Sequence, residues 1–323
     1  MSTPDTRPDT RPDTRPETRP AATPGGPSGR TRPRQSTRTP NRRFVAVALL
    51  AVVAILAGLV GPTVWAKVTG TTSGNTSAKD RIAAAPPPLL FAASQVATTA
   101  TDVAAQHQQA SELIASWASA HGTRTDDKAF VAWLEQVFPA PPPSLASEMP
   151  TVVALDRART APGVAAATWL ETYGKKDIWK LYAHDQKEVL DPSTGKDRKA
   201  EEKAVLKMSK QVADDLGTRY GSSAPYVRMP SLRKDHTVTS GQKCPCSYPS
   251  RHAAAAAASR TVLGTLMPDR VAQYRAMESQ VDYSRVYMAG HFPGDIRAGA
   301  LLGDVIGDYF LITRNDVAPS RLG

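Results

Sequence analysis

The sequence predicts an all-α domain carried behind one transmembrane helix. Three observations predict it. Residues 44–66 form a 23-residue run without charge, long enough to cross a hydrocarbon core. From Leu89 onward apolar residues recur at helical spacing, and no β-rich repeat interrupts them. Aromatic residues are only 6% of the chain, and alanine carries much of the apolar content. Alanine combines high helix propensity with little volume, so closely packed helices are expected.

The elements follow in chain order. Residues 1–43 begin with a tandem Thr-Arg-Pro-Asp pattern and hold almost no apolar surface. Nothing there offsets the entropy of ordering, so an extended tail is expected. Six arginines and no acids lie between Arg30 and Arg43. The positive-inside rule therefore keeps this tail in the cytoplasm and exports everything after Lys67. A cleaved signal peptide is the alternative, with Val64 and Ala66 at the peptidase site and a secreted product.

Residues 67–87 read as a linker, polar and then Pro-rich. Residues 88–313 read as the folded domain and 314–323 as a tail. Within the domain, helical spacing runs over 89–117, and again over 127–138, stopped by Pro-Ala-Pro-Pro-Pro. Residues 151–173 carry Pro162 near the middle, so two helices are expected. Residues 177–190 are helical, Asp191-Pro-Ser-Thr-Gly reads as a turn, and 199–216 is a strong helix former. A Gly/Ser/Pro-rich break covers 217–248, and loops of this length tend to be functional. Helices resume at Ser250 and near Arg297.

The charge balance excludes a nucleic-acid partner. Residues 1–43 hold ten arginines and four acids, net +6 of the total +10, which leaves +4 for the remainder. That is ordinary for a soluble domain. The basic tail suits anionic lipid at the cytoplasmic face. Cys244 and Cys246 cannot form a structural zinc site by themselves. In an exported chain they are a candidate local disulfide, with free or intermolecularly paired thiols as the alternatives.

Two segments carry chemistry. In CSYPSRHAAAAAASRTVLG, Ser250 is a good N-cap before an Ala-rich run, and Arg251 and His252 stand in the first turn. A helix N-terminus exposes backbone N–H groups and attracts anions. In SRVYMAGHFPGDIRAGALLG, Ser284-Arg285 precedes His291 and Asp295, which are spaced i,i+4. A carboxylate there can accept from one imidazole nitrogen and leave the other free to attack. GHFPGD is poor helix material, so His291 belongs at or just before a helix start, with 296–310 anchoring it. His107, His121, His184 and His236 carry no comparable pattern.

These strings resemble the second and third signature motifs of the type 2 phosphatidic acid phosphatase (PAP2) superfamily. That superfamily includes bacterial non-specific acid phosphatases and vanadium-dependent haloperoxidases. The third motif is Ser-Arg, five residues, His, three residues, Asp, and it is matched in full at Ser284, Arg285, His291 and Asp295. The second, Pro-Ser-Gly-His, is matched at Pro249, Ser250 and His252, with Arg251 in place of glycine. Thirty-one residues separate His252 from Ser284, within the family's spacing. The first motif, Lys, six residues, Arg-Pro, is broken. Gly217 and Ala224-Pro225 occupy it in one register, Gly221 and Arg228-Met229 in the other. Arg219, Arg228, Arg233 and Lys234 are candidate replacements for its cations. Arg251 is a further candidate, if its guanidinium turns into the pocket rather than to solvent.

The resemblance implies a compact helical bundle of the PAP2/haloperoxidase type. It also implies hydrolysis of a small phosphate monoester without metal or cofactor. His291 attacks phosphorus, Asp295 orients it, and His252 protonates the departing oxygen and then activates water. Ser250 and Arg285 hold the phosphoryl oxygens, joined by Arg251 if its side chain turns into the pocket. Three alternatives differ in class: a degenerate domain that binds phosphate or a partner without turnover, a vanadate-loaded haloperoxidase, and a lipid phosphatase. A single predicted span disfavours the last, because integral lipid phosphatases of this family resemble bundles of spans.

Overall fold

The computed structural model describes residues 76–189 and 192–322. The basic tail, the predicted span at 44–66 and most of the predicted linker lie outside the described residues. Among the described residues the chain is all-helical, and no helix there is long and apolar enough to cross a membrane.

The domain is organised around two buried helices. One is α10 (Arg251–Leu266), and the other is α12 (Pro293–Arg314). Around α10 the residues from His252 to Gly264 are all buried, the alanines on every side of the helix and Arg260 through its ion pairs. Six consecutive alanines, Ala253 to Ala258, give it a smooth surface. Glycines on α12 meet that surface at i,i+4 spacing. A Cβ at Gly299 would stand 2.5 Å from the Ser250 carbonyl oxygen, and one at Gly303 would overlap the Ala254 carbonyl. The helix backbones therefore touch, and both N-termini arrive at the same end. There the Ser250 N–H donates to the Asp295 carbonyl at 2.9 Å.

Other helices wrap this pair. They are α1 (Ala78–Ala84), α2 (Ala93–Ala104), α3 (Gln106–His121), α4 (Asp127–Val137), α5 (Met149–Arg157), α6 (Ala161–Tyr173), α7 (Asp177–Val189), α8 (Pro192–Tyr220), the short α9 (Pro225–Arg228) and α11 (Val271–Tyr287). One apolar cluster joins α3, α4, α8, α10 and α12 around Trp117, Phe130 and Phe310. A second joins α2, α6, α7, α10 and α11 around Trp179 and Tyr274. A charged cluster is buried between α3, α10, α11 and α12. Arg260 donates to Glu278 at 2.9 Å and also to Asp304, which sits 2.5 Å from the His107 ring.

Four sequence expectations change. The segment read as linker contains α1, whose Arg81 pairs with Asp177 at 2.5 Å and whose Ile82 packs on the core. The 89–117 run is two helices meeting at Ala105. Pro-Ser-Thr-Gly opens α8 instead of forming a turn, since proline's fixed φ suits a first helical turn. The 217–248 break starts inside α8 and contains α9. The two helices expected within 151–173 are α5 and α6, with Thr160 capping the second through Gly163 N–H at 3.2 Å.

Candidate active site

A cavity of about 500 Å³ opens where the N-termini of α10 and α12 meet. Its wall includes His252, His291, Arg251, Arg285 and Pro249. Ser250 lies just behind, fully buried, and caps α10 by accepting from the Ala253 N–H at 3.4 Å. The structure thus brings the two motif segments onto one concavity.

His291 precedes α12 by two residues, as its poor helix sequence suggested. Its Nδ1 lies 2.9 Å from the Ser247 carbonyl. A carbonyl only accepts, so Nδ1 carries the proton and Nε2 keeps the lone pair. Burial, and then the Arg285 charge, push this imidazole down to about 3. It is neutral at every physiological pH, the state a nucleophile requires.

The expected partner, Asp295, stands 3.8 Å from Nδ1, beyond hydrogen-bond range. The Ser247 carbonyl takes the orienting role instead. Asp295 reaches back to accept from the Phe292 N–H at 2.8 Å, fixing the start of α12, while its Oδ1 is buried without a partner. Burial raises its carboxyl to about 7.

His252 is held in the opposite sense. Its Nε2 lies 3.1 Å from the Glu171 carbonyl, so Nε2 donates and Nδ1 keeps the lone pair. Burial, and then Arg285, push it well below the usual imidazole value.

Arg285 ends α11 and is 4% exposed. Its Nη2 pairs with Glu171 at 3.2 Å, whereas Nε and Nη1 are buried without partners. Unsatisfied buried donors are costly, so the Arg285 guanidinium keeps hydrogen-bonding capacity that Glu171 does not use. Gly290 leaves the space, since a Cβ there would stand 3.0 Å from Arg285 Nη2. Ser284 is fully buried and donates to the Val281 carbonyl at 2.6 Å, a helix contact outside the cavity.

The replacement cations fall unevenly. Arg219 donates to the Glu135 carbonyl on α4, and Arg228 donates to the Ser223 carbonyl at 3.2 Å beside the Phe292 ring. Neither lines the cavity. Arg233 does; it is 5% exposed and gripped by Asp235 through two bonds of 3.1 Å. Arg251 also lines it, half-exposed, with Nη1 3.3 Å from Asp214 on α8. Of the two first-motif registers, the Gly217 one places the lysine position on the cavity wall. Cys244 and Cys246 are joined to each other and form part of the rim.

Sequence reasoning missed Glu171 and Asp214, which lie on helices with no motif around them, and it passed over His236, which lines the wall beside Arg233. Among the described residues no cluster of His, Cys, Asp and Glu has metal-holding geometry.

No curated protein matches the chain. Residues 211–316, from the second half of α8 through both motif segments to the end of α12, match the PAP2 superfamily. The cavity with its two histidines and Arg285 lies almost wholly within that stretch, and residues 211–316 are a PAP2 superfamily domain, of a phosphatase-like family.

Proposed function

We propose that the chain hydrolyses small phosphate monoesters through a phosphohistidine on His291. The observation that carries this reading is the shared wall: Arg285, with hydrogen-bonding capacity that no group fills, lines the same cavity as a neutral His291. Arg285 and the α10 N-terminus hold the phosphoryl oxygens. His291 Nε2 attacks phosphorus while Ser247 holds the ring. The imidazole becomes positively charged as the P–N bond forms, and Asp295, 3.8 Å away, stabilises that charge once its carboxyl, raised to about 7, ionises. His252 relays through Nδ1 to the leaving oxygen the proton that the ester itself brings, and then takes one from the water that cleaves the P–N bond. The predicted span and basic tail support a membrane-anchored protein with this site outside the cytoplasm.

The test is p-nitrophenyl phosphate hydrolysis by full-length protein and by His291→Ala. Loss of turnover, with loss of acid-labile phosphate trapped on the protein and unchanged circular dichroism, is expected. Near-normal turnover by the variant would refute the nucleophile.

A second reading, binding without turnover, has its own observation. Neither register of the first motif supplies a lysine, and Arg233 and Arg251 on the wall are already held by Asp235 and Asp214. Phosphate binding by a protein inert toward esters would establish it.

A further inference from the structure

All three arginines on the cavity wall have a carboxylate of their own. Arg233 has Asp235 at 3.1 Å, Arg251 has Asp214 at 3.3 Å, and Arg285 has Glu171 at 3.2 Å. Both histidines of the reaction are neutral in the free cavity. The wall is therefore rich in cations and close to zero in net charge. A site built for a dianion would carry an excess of positive charge.

Of the three acids, Glu171 bears most directly on the reaction. Its carboxylate occupies one end of the Arg285 guanidinium whose other donors face no partner, and its backbone carbonyl fixes the His252 tautomer. Groups from every surrounding element face it: Arg285 on α11, Arg233 and His236 from the loop after α9, and His252 on α10. Burial opposes its ionisation, but Arg285, and then Arg233 and His236, outweigh burial and hold the carboxyl below the usual range. It is a permanent negative charge inside an oxyanion cavity.

We propose that Glu171 makes this site selective for the monoanionic form of a phosphate ester, by cancelling the Arg285 charge that a dianion would need. The proposal rests on the phosphatase reading and deepens it. The proton balance of the reaction agrees with it. A monoanionic ester brings one acidic proton. That proton passes from a phosphoryl oxygen to the empty Nδ1 of His252, and from there to the ester oxygen as its P–O bond breaks. The His291 Nε2 lone pair forms the P–N bond, and the alcohol leaves neutral. Net charge is minus one before and after. A dianion meeting the same two neutral imidazoles lacks the proton that its leaving group requires.

The experiment measures inorganic phosphate binding by calorimetry, at about pH 5.5 and about pH 8, on either side of its second pKa of about 7, roughly a unit above that of a phosphate ester. Full-length wild type, Glu171→Gln and Glu171→Asp are compared. Wild type should bind about tenfold more weakly at the higher pH, where a tenfold change is about 1.4 kcal/mol. Glu171→Gln keeps an acceptor for Arg285 and removes the charge. It should recover most of that tenfold at the higher pH and change little at the lower. Glu171→Asp should follow wild type. Asp295 and His236 are common to all three proteins and cancel in the comparison.

If Glu171→Gln binds no better than wild type at the higher pH, the carboxylate only positions Arg285 and the proposal falls. It also falls if Glu171→Asp behaves like Glu171→Gln. Should Glu171→Gln not fold, wild type alone decides, because equal or tighter binding at the higher pH overturns the proposal. Wild type that hydrolyses esters but binds phosphate equally at both pH values sinks the selectivity and spares the phosphatase. Wild type that binds phosphate at neither pH sinks both.

Discussion

Gly303→Ala tests whether backbone contact between α10 and α12 is what assembles the site. Alanine is about 1 kcal/mol better than glycine in a helix interior, so propensity alone predicts a more stable protein. The structure predicts the reverse. The new Cβ would overlap the Ala254 carbonyl oxygen and stand 2.7 Å from Ala257 Cβ and 2.8 Å from the Ala258 nitrogen. Two of these three atoms are backbone and cannot rotate away, so the two helices must separate. Overpacking of this kind costs about 1–3 kcal/mol. Taking the upper end and subtracting the helix gain leaves a net loss of about 2 kcal/mol. For a domain of this size that lowers the melting temperature by about 5 °C. The same separation disturbs the Ser250–Asp295 contact at the mouth, and a displacement approaching 1 Å between catalytic groups costs about tenfold or more in kcat. Urea denaturation and ester turnover measure the two effects. Gly217→Ala is the control, since its Cβ would find nothing nearer than 3.8 Å, and it should be neutral or stabilising. A Gly303→Ala protein as stable and active as wild type would refute the close-packing argument.

Gly217→Lys restores the first-motif lysine in the register that reaches the cavity wall. The space beside Gly217 admits it, and phosphate affinity at neutral pH should rise about tenfold, a gain of about 1.4 kcal/mol, whereas weaker binding would show that Gly217 is not at the phosphate end. Asp308→Asn probes the buried acids of α12. Burial, and then Asp304, raise the Asp308 carboxyl to about 8. The unfolded chain ionises near pH 4 and the folded protein does not, so wild-type stability falls as pH rises from about 4 through about 8. Asn mimics the protonated form, so its advantage in unfolding free energy from urea denaturation should be small near pH 4 and grow to a few kcal/mol near pH 8. A pH-independent difference would refute the raised carboxyl.

Much of the site was legible because its chemistry is local in sequence. His291 and Asp295 are four residues apart, and Ser250 and His252 belong to one helix start. The spacing of Ser284 and Arg285 before His291 needs no tertiary information either. Helix α11 itself was not read, since its apolar residues are interleaved with Glu278, Asp282 and Arg285, all buried, Glu278 and Arg285 against partners on other helices. The role given to Asp295 failed for a related reason. An i,i+4 pair stacks only inside a helix, but His291 lies before α12 begins. The Ser247 carbonyl, 44 residues away, reaches the ring first.

The deepest gap concerns charge. A signature motif records the cations and imidazoles that touch a phosphoryl group, because reaction chemistry fixes their type and spacing. It records nothing of the counter-ions. Burying an arginine without one is costly, so each arginine here found a carboxylate wherever the fold offered it. Asp235 came from the same loop two residues on, Asp214 from the lysine-rich α8, and Glu171 from α6. These acids decide the net charge that a substrate meets, and their sequence positions follow from packing alone. The same burial that demands a counter-ion for each arginine strips the protons from His252 and His291. A neutral wall and unprotonated imidazoles are thus two results of one cause. Together they underlie the proposed criterion for what the cavity accepts: an oxyanion that needs little net positive charge and brings its own proton.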